Sequence, residues 1–171
     1  MTATAPEIHR GLSGVVVDTT AISTVIAETN SLIYRGYPVQ DLAARCTFEE
    51  VAHLLWHGEL PDADRLREFR AQERALRPLD RTTTEVLARL PETCHPMDVL
   101  RTAVSFFGSE DPTEDDGSTA ANRAKSLSLL AKLPVVVAAD HRRRHGLAPV
   151  QPDPSLGYAE NFRSTAAPTR P

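Results

Sequence analysis

The sequence predicts a mainly α, multi-helical fold with a small N-terminal antiparallel β element. Three observations carry this. From Gln40 to about Arg144, apolar residues recur at i, i+3 and i+4 in segment after segment, the period of helices with one buried face. Helix punctuation falls between those segments, with Thr47, Asp62 and Ser118 or Thr119 at starts and Gly58, Pro78 and Pro91 at stops. The β-branched runs that read as strands all lie before Pro38.

Taken in order, residues 1–10 are polar and expected to be loose. Gly14-Val15-Val16-Val17 and Ala21 to Ile26 suggest two short strands leading to Leu32-Ile33-Tyr34. Arg35-Gly36-Tyr37-Pro38 then reads as a turn, since Gly tolerates positive φ and Pro fixes its own φ. Gln40 to Arg45 makes a short helix with Val39, Leu42 and Ala43 on one side. Thr47 and Glu50 stand at the spacing of a capping box, so a second helix begins at Phe48. It is expected to bury Phe48, Val51, Leu54 and Leu55 and to stop at Gly58. Asp62 caps a charged, mostly solvent-facing helix over 63–77, and Thr82 to Leu90 forms another that Pro91 ends.

His95-Pro96-Met97-Asp98 places Pro at the first helical position and an acid in the first turn, where it complements the helix dipole. The helix that follows, to Gly108, is apolar on nearly every side and is expected to be largely buried. An acidic loop, Ser109 to Gly117, precedes a long helix ending near Arg144 that Pro134 should kink. After a Pro-rich loop, Leu156 to Phe162 begins an apolar face that is not continued: residues 163–171 show no periodicity and hold two prolines, so a disordered tail is expected.

Composition narrows the function classes. A chain of 171 residues, 41% hydrophobic and 25% charged, has the length and balance of one globular domain. Its net charge of -4 implies no general attraction to nucleic acid or to an anionic membrane. The longest apolar run, Val135 to Ala139, falls far short of the roughly 20 residues that span a bilayer. Cys46 and Cys94 are isolated and the N-terminus lacks an apolar signal segment, which points to free thiols and a cytoplasmic location.

Candidate chemistry is sparse. His53 and His57 stand i, i+4, the spacing of two metal ligands on a helix, but no third ligand follows; helix-surface and helix-end histidines are the ordinary reading. His141-Arg142-Arg143-Arg144-His145 has the charge of a phosphate or nucleic-acid patch, yet it lies at a helix C-terminus that favours cations, and no aromatic residues are interleaved. Asp111, Glu114, Asp115 and Asp116 lack the alternation of an EF-hand. Cys46, Cys94 and His95 form no recognisable nucleophile pair, and Arg35 reads as a donor bracing its turn.

The order of residues in NSLIYRGYPVQDLAARCTFEEVAHLLWHGELP, from Asn30 to Pro61, and in CHPMDVLRTAVS, from Cys94 to Ser105, resembles the citrate synthase family, closest to its bacterial 2-methylcitrate synthase branch. The resemblance covers roughly Gly11 to Phe162. It implies the N-terminal part of a multi-helical large domain, with residues 1–10 flexible and 163–171 unrelated. The family consists of homodimers that condense acetyl-CoA or propionyl-CoA with oxaloacetate and hydrolyse the thioester. An Asp removes the α-proton, one His hydrogen-bonds the enolate oxygen, and another polarises the ketone. Coenzyme A enters as a thioester co-substrate, and no metal or other cofactor is implied.

Those family groups belong to a His-Gly-Gly-Ala segment, a Gly-x-Gly-His-Arg segment and a later Asp, none of which occurs in these 171 residues. The resemblance therefore assigns no catalytic, cofactor-binding or metal-binding residue here. Three expectations follow. The first is a truncated or frameshifted synthase, inactive by itself. The second is a non-catalytic helical module that pairs with a full-length synthase subunit through uncovered apolar faces. The third, a small-ligand or nucleotide-binding domain using Arg142 to Arg144, rests on that basic run alone.

Overall fold

The computed structural model describes residues 10–12 and 14–167. Backbone contacts divide the chain into two compact units, one up to Arg45 and one from Cys46 onward.

The first unit is a three-stranded antiparallel sheet in the order β1 (Ser23–Ile26), β2 (Ser31–Tyr34), β3 (Tyr37–Pro38), followed by helix α1 (Val39–Arg45). β1 and β2 pair Ser23 with Tyr34 and Ile26 with Ser31 across a 3₁₀ turn, Ala27–Thr29, that ends in left-handed Asn30. β2 and β3 close on a two-residue loop, with Tyr34 opposite Tyr37. Both loop residues, Arg35 (φ 48°) and Gly36 (φ 91°), lie in the left-handed region. That is the geometry whose twist matches a tight hairpin, so the expected turn at 35–38 is half turn and half strand. The expected strand at Gly14 to Val17 does not form. Val16 and Val17 are 87% and 73% exposed, because β-branched residues hold a strand only where a partner strand meets them.

The second unit contains α2 (Phe48–His57), α3 (Ala63–Leu76), α4 (Arg81–Arg89), α5 (Pro96–Ser109), α6 (Thr119–Arg144) and α7 (Tyr158–Ala166). The capping box forms as spelled: Thr47 N donates to Glu50 Oε2 at 2.6 Å, and Glu50 N donates to Thr47 Oγ1 at 3.4 Å. At the other end of α2, Gly58 takes φ 87° and its N–H reaches Leu54 O at 2.8 Å. Asp62, Asp80 and Ser118 accept from the third residue of α3, α4 and α6. The α5 N-cap is His95, whose Nδ1 accepts from Met97 N at 3.2 Å. The core centres on Leu87, Val99, Ala103 and Val136, with Leu79, Leu90, Cys94, Leu100 and Phe107 packed around them.

Burial departs from the expected pattern on three helices. On α2 the buried residues are Glu49, Ala52, His53 and Leu54, whereas Phe48 is 46% exposed. On α5 only Val99 and Ala103 are buried, and Val104 is exposed. α3 does face solvent along most of its length, but it buries Phe69 and Glu73. The last helix corrects the expected stop at Phe162. α7 continues to Ala166, with Asn161 and Thr165 buried and Thr165 Oγ1 donating to Asn161 O at 2.9 Å. Helical hydrogen bonding and packing there outweigh the weak apolar period of 163–166. Residues 168–171 of the expected tail, and the expected loose segment 1–9, lie outside the described residues.

Candidate functional site

The second unit presents an apolar face lined by Phe48 from α2, Leu100 from α5, Leu133 and Val137 from α6, and Tyr158 and Phe162 from α7. Phe48, Val137 and Phe162 are each more than a third exposed there. Phe48 and Tyr158 stack with ring centroids 4.1 Å apart and planes within 8°. Isolated exposed apolar side chains are ordinary on a protein surface, but a contiguous face of aromatic and branched residues is one suited to burial against another surface.

Polar groups hold this face in shape from behind. Pro134 has no N–H, so the Leu130 carbonyl, four residues earlier in α6, lacks its helical donor. The Tyr158 hydroxyl takes that place, donating to Leu130 O at 3.0 Å. Burial, reinforced by the carboxylates of Glu73 and Glu49 and opposed by Arg77, pushes the Tyr158 phenol up to about 12, so it stays protonated as the donor. At the first residue of α7, Tyr158 N donates to Glu49 Oε1 at 3.2 Å, placing a buried carboxylate at the positive end of the helix. Arg70 Nε lies 3.7 Å from the same oxygen, and Arg70 Nη2 donates to Thr47 Oγ1 at 3.1 Å.

A second clamp holds the loop before α7. Glu73 and Arg77 are 0% and 1% exposed and form a two-toothed pair, with Nε to Oε1 at 2.8 Å and Nη2 to Oε2 at 2.7 Å. Arg77 Nη1 donates onward to Asp153 O at 3.2 Å and Leu156 O at 2.9 Å, and Asp153 N reaches Asn161 Oδ1 at 2.9 Å.

The basic run at the end of α6 is used internally. Arg142 is buried and donates to Ala148 O at 2.5 Å and to Ala167 O. Arg143 donates to Leu90 O and Asp140 Oδ1, both at 2.7 Å. Arg144 reaches Asp140 Oδ2 at 2.7 Å, Glu92 O at 2.5 Å and Cys94 O at 2.9 Å. Burial acts to raise the Asp140 carboxyl, but hydrogen bonds from Arg144 and Arg143 overcome it and hold the group below its ordinary value. Three guanidinium groups committed to loop carbonyls and one aspartate leave no phosphate cradle, so the nucleotide-binding expectation is corrected on geometry.

The other singled-out residues are equally structural. The His53 and His57 rings stack with centroids 4.2 Å apart, and His53 Nδ1 lies 3.1 Å from Glu59 O. Among the described residues no group of three or more His, Cys, Asp or Glu side chains is placed to hold a metal. Asp111 and Asp116 accept from Thr113 and Ser118 within their own loop, while Lys125 Nζ donates to Glu114 O and Asp116 O, each at 2.9 Å. Cys46 and Cys94 are free thiols. The Arg35 N–H, bonded to Ile22 O at 2.9 Å, braces the hairpin. Sequence reasoning gave Glu49, Glu73, Arg77 and Tyr158 no functional role. Pro134 was the signal available for Tyr158, because a proline inside a helix announces a carbonyl in search of a donor.

Residues 11–170 match the family described as citrate synthase, C-terminal domain. A citrate synthase of Mycolicibacterium smegmatis is 63% identical over 158 residues, 92% of this chain and 42% of the relative. A 2-methylcitrate synthase of Mycobacterium tuberculosis is 62% identical over 157 residues, 92% of this chain and 39% of the relative. The chain thus spans about two-fifths of the curated relatives it matches. Among solved structures, citrate synthase from Pyrobaculum aerophilum superposes with a TM-score of 0.87 at 30% identity, over 97% of this chain and 44% of that one. A ternary complex of citrate synthase from Thermoplasma acidophilum with carboxymethyl coenzyme A and oxaloacetate gives 0.86 at 23% identity, over 94% of this chain and 42% of that one, which is a likeness of fold. With the matched region running over nearly the whole chain, the chain belongs to the citrate synthase family.

Proposed function

We propose that residues 11–162 form the N-terminal part of the large domain of a 2-methylcitrate or citrate synthase. The reaction would be condensation of propionyl-CoA or acetyl-CoA with oxaloacetate and hydrolysis of the thioester, an acyl transfer of propionate metabolism or the tricarboxylic acid cycle in the cytoplasm. The identity above 60% to proteins of both names carries this reading. The matched family description speaks of a C-terminal domain; the reading as a leading part rests on residue content. The segments in which family members carry their proton-abstracting Asp and polarising His residues are not among these residues, and every polar cluster described above is committed to structure.

The 171-residue polypeptide alone is therefore inactive. The test is release of CoA thiol by the purified chain, given oxaloacetate with propionyl-CoA or acetyl-CoA and followed with a thiol reagent. No oxaloacetate-dependent release is expected; turnover that tracks the protein through purification and is lost on heat denaturation would overturn the reading. A second reading, a non-catalytic module pairing with a full-length synthase subunit, is favoured by the apolar face around Phe48, Val137 and Phe162. Co-expression with a tagged synthase subunit tests it. Co-elution that Val137→Asp abolishes supports pairing through this face, and a chain that elutes alone refutes it.

A further inference from the structure

The His53 and His57 pair takes no part in that proposal, and its surroundings have a property of their own. His53 is 6% exposed, its ring edge packs on Phe69 at 5.9 Å and 81°, and its Nδ1 is tied to the Glu59 carbonyl. An acceptor at that distance requires Nδ1 to carry a proton, which in the neutral ring leaves Nε2 as the bare nitrogen. His57 lies over this ring, at the last residue of α2. From the loop after α2 the pair is faced by Glu59 and Asp62, from α3 by Arg65 and Glu68, and from α6 by Arg123.

These charges are unequally available. Glu59 is bonded to Arg65, and Asp62 caps α3 through Arg65 N at 2.8 Å. Arg123 makes no ion pair among the described residues. The C-terminal dipole of α2 and the Glu59 carboxylate favour a cation at His57, whereas the stacked ring, Arg123 and Arg65 oppose it.

We propose that the stacked His53 and His57 rings, lining one pocket with Arg123, form an acid-sensitive seam that holds the end of α2 to α3 when His57 is neutral and loosens when it is protonated. Desolvation, then His53, Arg123 and Arg65, hold His57, an exposed residue, below the ordinary histidine value of 6.5, with Glu59 offsetting them only in part. A histidine lowered in the folded state is protonated more readily in the unfolded chain. Its contribution to stability is therefore complete above pH 6.5 and is lost as pH falls from there through the folded value.

The test is an imidazole proton NMR titration of the full chain, with His57→Gln assigning the resonance, alongside thermal melts from pH 7.5 to 5. The expected results are a His57 midpoint below 6.5, a midpoint raised toward 6.5 in Arg123→Gln, and a shallower fall of Tm below pH 6.5 in His57→Gln than in the parent. A midpoint at or above 6.5, or one that Arg123→Gln leaves in place, overturns the proposal. So does an equally steep acid loss of Tm in His57→Gln. Arg123 is exposed, so its variant reads the pair in a folded chain even if His57→Gln does not fold.

Discussion

Replacing Tyr158 with Phe removes one oxygen and tests whether that hydroxyl repairs the defect Pro134 makes in α6. The wild-type bond, 3.0 Å from Oη to Leu130 O, is neutral and half-buried. Such bonds contribute about 0.5–1.5 kcal/mol, and leaving a desolvated acceptor without a partner costs about 1–3 kcal/mol. Partial exposure at the site puts Tyr158→Phe at about 1.5 kcal/mol of destabilisation, since ring and stacking are kept. For a unit of this size that is a fall of about 5 °C in Tm. The stronger readout is a double-mutant cycle. Pro134→Ala restores an N–H that can bond Leu130 O within the helix, after which the Tyr158 hydroxyl is no longer the carbonyl's donor. Tyr158→Phe should then lose at least about half of its effect, a coupling of roughly 0.7 kcal/mol or more. Urea unfolding of the four proteins, followed by far-UV circular dichroism, measures it. If the two substitutions are additive within about 0.3 kcal/mol, the hydroxyl is not serving the carbonyl that proline freed and the reasoning is wrong.

The buried clamp predicts a larger effect: Arg77→Ala leaves Glu73 uncompensated at 0% exposure and releases the 153–156 loop, for a loss of about 3–5 kcal/mol in chemical denaturation. Arg77→Ala combined with Glu73→Leu should recover part of it, and no recovery would argue against an unpaired buried charge as the cause. Asp140 supplies a pH dependence. Its carboxyl is lowered in the folded chain, so its contribution is present above the unfolded value of 3.8 and is lost as pH falls through the lower folded value. Asp140→Asn should therefore lower Tm at pH 7 and flatten the stability curve below about pH 4, read by melts from pH 7 to 2.5; parallel acid limbs in the two proteins would contradict the assignment.

Much of this protein is written locally. Thr47 with Glu50, Asp62, Ser118 and Gly58 each act within one helical turn, so the sequence alone placed the ends of α2, α3 and α6. Arg35-Gly36 announced a turn for the same reason, since the residues that bend the chain are the residues in the bend. The family was legible too, in the order of residues from Asn30 to Pro61 and from Cys94 to Ser105.

Tertiary structure decided whatever depends on a distant partner. Gly14 to Val17 has strand composition but meets no strand, whereas Tyr37 and Pro38, read as turn, pair with β2. Periodicity placed Phe48 inside, but the fold leaves it 46% exposed and buries Glu49, which receives the N–H of Tyr158, 109 residues away. The arginines of α6 look like a phosphate patch until Leu90, Glu92, Cys94 and Ala148 supply the carbonyls they bind. A charge states its demand for a partner in the sequence; which oxygen answers is settled only when the chain folds back on itself.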